Sequence, residues 1–188
     1  IDMAAAYSVF PRDGVYLSPR TYTKVTQEVN GQEVVLLDNT DRTGDIVLKP
    51  ATAWQMNDML KNVVSRGTGT QARISGQVVA GKTGSTNSNN DRWFVGYTSY
   101  YTAAVWVGYD NPERIRVTSG SNPAAIMWQK VMSQVHEGLE SRDFNKPSGI
   151  VTIQYCLDSG MLANEACLKD PRGSRVGSAQ VVQGEGPV

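Results

Sequence analysis

Lys82-Thr83-Gly84-Ser85 puts an ammonium, two hydroxyls and a bare stretch of backbone into four consecutive residues. A set of this kind holds an anion, and two anions fit. Gly76 to Thr83 reads GQVVAGKT, which matches the phosphate-loop pattern G-x-x-x-x-G-K-[ST] letter for letter. Laid along an extended strand instead, the same groups suit a peptide carboxylate. The conformation of the segment decides between them.

A phosphate loop needs a glycine-rich turn and then a helix starting at the Lys-Thr pair, so that backbone N–H groups converge on the anion. Val78 and Val79 occupy the loop positions, and β-branched residues resist the positive φ of such a nest. After Thr83 comes GSTNSNND, which lacks apolar residues and has poor helix propensity. Asp110, at the end of AVWVGYD, could hold magnesium, but Gly108 to Pro112 reads better as a strand end and turn. Nucleotide binding is therefore set aside. The remaining reading is a strand over residues 78–86. Its period of two puts Thr83 and Ser85 on one side, where both hydroxyls can donate to one anion. Gly84 lets a ligand backbone approach, and Lys82 adds a compact charge beside the hydroxyls. Such a strand can also pair with an extended peptide. A plain edge strand guarded by Lys82 is the alternative.

The neighbouring elements must hold this strand. Asp2 to Phe10 predicts a short helix with Met3, Ala6, Tyr7 and Phe10 on one face, ended by Pro11 and Gly14. Asn30-Gly31 lies between two β-rich arms and predicts a hairpin. Lys49-Pro50 opens a helix with the stripe Ala53, Met56, Leu60, Val63 and Val64, capped by Gly67. Thr68-Gly69-Thr70 is a turn that could shape a cleft entrance. WFVGYT and TAAVWVGY predict an antiparallel pair joined at Thr98 to Tyr101. Asn122-Pro123 starts a further helix, with Trp128, Val131, Met132, Val135 and Leu139 as its buried side. The expected fold class is α+β, an antiparallel sheet with flanking helices. A boundary falls near Lys146-Pro147. Beyond it VTIQYC reads as a strand, and Gly177 to Val188 as a loose tail.

The chain has 188 residues with 18 basic and 18 acidic side chains, so no basic face marks a nucleic-acid partner. No apolar run is long enough to span a membrane. Cys156 and Cys167 lack metal spacing; they either form a disulfide closing a short loop or stay as buried free thiols. The single histidine, His136, is expected at a helix end or facing solvent. Asp91 and Arg92 could orient the polar loop, or form an exposed ion pair. Trp93, Phe94, Trp106 and Trp128 are expected in the core, and Tyr100-Tyr101 at an exposed turn. The chain begins at Ile1 without a signal-like segment and is expected to be part of a longer or processed protein.

The order ML-x-x-VV-x-x-GTGT, AGKTGST, DRWFVGYT and VWVGYDNP resembles the transpeptidase domain of class A penicillin-binding proteins, the bifunctional peptidoglycan synthases. The resemblance runs from about Asp2 to Leu139, which makes residues 1–145 the C-terminal portion of that domain. Residues 146–188, from VTIQYC to Cys167 and beyond, look like the C-terminal extension of such proteins in some Gram-positive bacteria. The resemblance implies a partial penicillin-binding, serine β-lactamase-like fold and a serine D,D-transpeptidase without cofactor or metal. In that family a Ser-x-x-Lys serine attacks the D-Ala-D-Ala bond of a peptidoglycan stem peptide, and β-lactams trap it. Lys82, Thr83, Gly84 and Ser85 would form the K-T-G wall. Lys82 and the Thr83 and Ser85 hydroxyls would bind the substrate carboxylate, and the Ser85 backbone N–H would join the oxyanion hole.

No serine of this chain has a lysine three residues later. Ser85-Thr86-Asn87 and Ser88-Asn89-Asn90 fit the family's Ser-x-Asn by letter but follow the K-T-G element instead of preceding it. The expectation is an upstream part of the same protein that carries the nucleophile, the Ser-x-Asn and a membrane anchor on the extracytoplasmic face. The chain alone would be inactive. A serine β-lactamase fragment and a non-catalytic peptidoglycan-binding module are the other readings.

Overall fold

The computed structural model describes residues 1–117 and 120–187. Asp2–Tyr7 form the first helix (α1), and a 3-10 turn at Phe10–Arg12, carrying Pro11, follows it. Val15–Tyr16 (β1) pairs later with Asp45–Ile46 (β4). Between them Lys24–Val29 (β2) and Gln32–Asp38 (β3) make the expected hairpin. Asn30 and Gly31 both adopt positive φ, 53° and 76°, as the two-residue turn requires. This hairpin leaves Val34 to Leu37 exposed.

Pro50–Arg66 (α2) starts at its N-terminal proline and ends at Gly67, whose N–H bonds to the Val63 carbonyl. Gly67 is extended, with φ −103° and ψ −151°, instead of left-handed. After a 3-10 turn at Thr70–Ala72 come Ala80–Ser85 (β5), Arg92–Tyr97 (β6) and Thr102–Val107 (β7). They form one antiparallel sheet in the order β5-β6-β7, so β5 is an edge strand. The strand is shorter than the expected 78–86: Val78 and Val79 precede the ladder and pack inward. Pro123–Val135 (α3) begins at Asn122, whose side chain accepts from the N–H groups of Ala124 and Ala125.

The sheet has helices on both faces, which gives the mixed antiparallel architecture expected. Phe94 meets Trp128 of α3 edge-on at 5.2 Å, and Val64, Val79 and Met132 close that layer. On the other face Tyr97 packs with Leu60, Ala80 and Phe144. The Tyr97 hydroxyl donates to Asn57 Oδ1 at 2.8 Å, and Asn57 Nδ2 donates to the Phe10 carbonyl at 3.0 Å. Burial pushes the Tyr97 phenol well above its ordinary range. Gly81 is squeezed between layers: a methyl there would meet Phe94 Cζ at 2.6 Å and the Val95 carbonyl oxygen at 2.9 Å.

Several packing expectations need correction. Val131 and Val135 of α3 are exposed, because only the Ala124, Ala125, Trp128 and Met132 side faces the sheet. Trp106 is 43% exposed and Trp93 half-buried, since the edge of a three-stranded sheet has no helix over it there. In α2, Trp54 and Asn57 are buried while Met56 and Val63 are half-buried. The expected loose tail is a strand. Val176–Val182 (β9) pairs antiparallel with Ile150–Cys156 (β8) over seven residue pairs, from Ile150 with Val182 to Cys156 with Val176. A low apolar content hid it, and the backbone pairing supplied by β8 outweighs that. Val188 lies outside the described residues. A short helix, Glu165–Leu168 (α4), connects the two strands, with Asn164 as its cap. Cys156 and Cys167 are free thiols, both buried beside this helix. No helix among the described residues is long and apolar enough to cross a membrane.

Candidate functional site

The AGKTGS strand is an edge strand, and its hydrogen-bond phase follows from the turn that leaves it. The Thr86 N–H donates to the Asp91 carbonyl at 3.3 Å. Antiparallel ladders alternate, so the preceding residue, Ser85, turns its own N–H and C=O away from β6 and toward the open edge. Ser85 and Arg92 are therefore a non-hydrogen-bonded pair, the kind whose side chains approach most closely.

The side chains alternate as well. Thr83 and Ser85 share a face with their cross-strand partners Phe94 and Arg92. Lys82 and Gly84 share the opposite face with Val95 and Trp93. The hydroxyl face opens into a cleft of about 920 Å³ bordered by Thr68, Thr83, Ser85, Arg92 and Asn122. Within it Thr68 and Thr83 join their hydroxyls at 2.9 Å, and Arg92 donates a guanidinium N–H to Ser85 Oγ at 2.6 Å. Glu113, Arg114 and Arg116 stand along its other side. The cleft thus holds three hydroxyls, Thr83 and Ser85 from the strand and Thr68 from the turn after α2; Thr68 and Thr83 are joined and Ser85 is held by a cation.

Lys82 was expected beside these hydroxyls, and the period of two sends it to the other face. It borders a separate space of about 280 Å³ with Met3, Tyr7, Gly84 and Trp93, which touches the hydroxyl cleft only at Thr83. Its ammonium folds back to donate to the Thr83 carbonyl at 3.0 Å. Gly84 was read as room for a ligand. Its open side is already occupied by Trp93, whose Cβ would stand 3.0 Å from an added methyl, so the glycine also serves packing.

The turn after β5 is braced from within. Thr86 Oγ1 accepts from the N–H groups of Asn90 and Asp91 at 3.1 and 3.0 Å, and Asn89 takes a positive φ of 59°. Of the two Ser-x-Asn letter matches, Ser88-Asn89-Asn90 falls in this turn and Ser85-Thr86-Asn87 runs into it from the end of β5. A phosphate loop would require a helix from Thr83; the segment is a strand and then this turn. Asp91 and Arg92 do not pair with each other. Asp91 accepts from the Trp106 indole at 2.9 Å, because neighbours along a strand point to opposite faces.

His136 sits at the end of α3 but is buried, not solvent-facing. Its Nδ1 lies 2.6 Å from the Met132 carbonyl, which can only accept, so Nδ1 carries the proton. Its Nε2 lies 2.8 Å from the Thr98 hydroxyl. Thr98 Oγ1 in turn accepts from the N–H groups of Tyr100 and Tyr101. The histidine ties the β6–β7 turn to α3 and lies away from the cleft. Asp110 is exposed beyond β7. Among the described residues, no group of three metal-ligating side chains comes together.

Sequence reasoning named Lys82, Thr83, Gly84 and Ser85 and underused three others. Thr68 was a turn residue, Asn122 a cap, and Arg92 half of an ion pair. Counting the register back from the Thr86–Asp91 turn is the signal that pairs Arg92 with Ser85.

Comparisons with known proteins agree with this geometry. A family model described as the penicillin binding protein transpeptidase domain matches residues 1–133. Penicillin-binding protein 1A of Clostridium perfringens (strain ATCC 13124) is 37% identical over 185 residues, which is 98% of this chain and 22% of that protein. The protein of the same name from Clostridium acetobutylicum is 40% identical over 165 residues, 86% of this chain and 20% of the relative. The chain thus spans about a fifth of the length of the relatives it matches. Among solved structures, penicillin-binding protein 1A of Haemophilus influenzae superposes with a TM-score of 0.74 at 19% identity, over all of this chain and 32% of that one. The D,D-transpeptidase domain of a peptidoglycan glycosyltransferase from Eggerthella lenta gives 0.57 at 29% identity, over 72% of this chain and 31% of that one. The fold, the edge strand and the matched span converge: the chain belongs to the penicillin-binding protein transpeptidase domain family.

Proposed function

We propose that this chain supplies the K-T-G wall of a peptidoglycan D,D-transpeptidase that works through a serine acyl-enzyme. The observation that carries the reading is the open edge of AGKTGS, with the Ser85 N–H pointing outward and the Thr83 and Ser85 hydroxyls turned into one cleft. An extended stem peptide can add to such an edge through its backbone. Its terminal carboxylate meets the hydroxyls. The Ser85 N–H lies where the carbonyl oxygen of the scissile bond would gather negative charge, a role worth roughly a hundredfold or more in rate. Lys82 lines the adjoining space with Met3 and Tyr7 of α1, next to Thr83.

In the proposed cycle a serine oxygen attacks the carbonyl of the penultimate D-Ala. The C–N bond breaks, and D-Ala leaves with the serine's proton. An amine of a neighbouring stem then attacks the ester, forming the cross-link and returning the proton to the serine. β-Lactams enter by the same route, with ring opening in place of departure. The serine belongs to a segment outside residues 1–188, in a protein with its transpeptidase domain on the extracytoplasmic face of the membrane.

Fluorescent penicillin tests this in the polypeptide that joins this chain to a Ser-x-x-Lys segment. Covalent label should form there and map to that serine, while the chain by itself stays unlabelled. A labelled serine within residues 1–188, or no labelling of the joined polypeptide, refutes the proposal.

A further inference from the structure

The cation on the hydroxyl face of the strand is Arg92, not Lys82. Alternation puts Lys82 on the opposite side, and cross-strand pairing puts Arg92 opposite Ser85 on the same side. Its guanidinium donates to Ser85 Oγ at 2.6 Å. No ion pair among the described residues includes Arg92. Asp91, its neighbour, is engaged by the Trp106 indole on the other face. Arg92 Nε is buried and has no hydrogen-bond partner. A half-buried guanidinium with one neutral acceptor and an orphaned N–H lacks a counter-charge, and an anion held nearby restores it.

The hydrogen bond also fixes the direction of the serine's proton. A hydroxyl that accepts from a guanidinium has its own proton free for a further acceptor. Polarisation by the positive charge makes that proton a stronger donor. In the cleft that proton is available to a ligand beside Thr83 and Thr68, whose hydroxyls are joined to each other. Lys82 does not supply this polarisation, because its ammonium is engaged by the Thr83 carbonyl and makes no bond to Ser85 Oγ.

Building on the transpeptidase reading, we propose that Arg92 is a positioning and specificity-determining residue. It orients and polarises the Ser85 hydroxyl so that the strand selects ligands ending in a free carboxylate over a neutral ester, the guanidinium acting through that hydroxyl. Glu113, Arg114 and Arg116 also line this cleft.

The test uses the polypeptide that carries this chain together with its Ser-x-x-Lys segment. Acylation rate constants are measured for a penicillin with a free carboxylate and for its methyl ester, in wild type, Arg92→Ala, Arg92→Lys, Ser85→Ala and the Arg92→Ala/Ser85→Ala double variant. Wild type should prefer the acid. Arg92→Ala should lower the acid-to-ester ratio by about tenfold or more, as loss of a hydrogen bond from a charged donor does. Arg92→Lys should recover part of the ratio. The double variant should match Ser85→Ala, because Arg92 acts through that hydroxyl. An Arg92→Ala ratio equal to wild type overturns the inference. So does an equal loss on acid and ester, which is the mark of a merely structural arginine. If wild type reacts with neither compound, the transpeptidase reading falls and this role with it. Wild-type acylation with an unmoved ratio sinks Arg92 alone.

Discussion

At the scale of single residues, the side on which a group sits matters more than its place in the sequence. Thr83 and Ser85 were legible as a hydroxyl pair because a strand has period two. The same rule, applied one residue earlier, sends Lys82 to the other face, yet adjacency in sequence made it look like a neighbour of both hydroxyls. Arg92 was illegible for a different reason: its closeness to Ser85 depends on the register of the turn between them, which the letters NSNND do not fix. Thr83 gives a test free of Arg92. Its hydroxyl bonds to Thr68 at 2.9 Å in the open cleft. Thr83→Val keeps the shape and the β propensity and removes the hydroxyl. Stability should change by less than about 1 kcal/mol, since Thr68 can turn to water. Acylation of the longer polypeptide by a penicillin should fall by about tenfold, one hydrogen bond to a charged ligand. Melting curves and acylation rates measured side by side check both. A large drop in melting temperature with normal acylation would mean that the pair is a strut and not a binding group.

At the scale of elements, the cleft depends on where α3 begins. Pro123 and Asn122 announced that start plainly, because a cap residue followed by proline needs no tertiary context. What the residues could not announce is that the cap is also a wall of the cleft. The Asn122 side chain accepts from the N–H groups of Ala124 and Ala125 and donates to the Trp93 carbonyl at 3.3 Å, and its backbone N–H donates to Gln71 Oε1 at 2.7 Å. One side chain therefore joins α3 to β6, and its backbone joins the turn after α2. Val131 and Val135 show the converse limit. Their spacing is apolar and helical, but a three-stranded sheet is too narrow to cover them. Asn122→Ala should cost about 1 kcal/mol, within the usual range for a lost cap, and somewhat more if the Trp93 contact contributes. Chemical denaturation should show a lower midpoint with an unaltered slope. Asn122→Asp should retain most of the stability, because its carboxylate still caps while losing the donor to Trp93. If both variants match wild type, the helix start is held by packing of Ala124, Ala125 and Trp128 instead.

At the scale of the whole molecule, the β5–β7 layers and the β8–β9 hairpin are held together by different chemistry, and acid should distinguish them. The cleft-bearing part rests on apolar layers and on the buried Tyr97–Asn57–Phe10 chain of hydrogen bonds. None of those groups changes charge at low pH. The β8–β9 unit has little apolar core, which is why its second strand read as a tail; it relies on backbone pairing and on charged side chains around the α4 loop. Asp158 accepts from Arg172 at 2.7 Å and Arg175 at 2.8 Å, and Asp170 accepts from Arg172 at 2.8 Å. The Arg175 hydrogen bond holds the Asp158 carboxyl below its usual range, and the Arg172 hydrogen bond does the same for Asp170. A carboxylate with a depressed folded pKa stabilises fully above its unfolded value, near pH 4. That contribution is lost as pH falls through the folded value. Hydrogen exchange should then show the Leu157 and Arg175 amides, bonded to Arg175 O and Cys167 O, losing protection below about pH 4. Amides of β6 should keep theirs over the same interval. Asp158→Asn should remove part of the pH dependence, and Asp158→Asn/Asp170→Asn most of it, leaving the loop less protected at neutral pH. Uniform loss of protection in both regions would show instead that the extension and the cleft-bearing part unfold as one, coupled through Lys146, which lies 5.1 Å over the Trp54 ring and donates to Gln180.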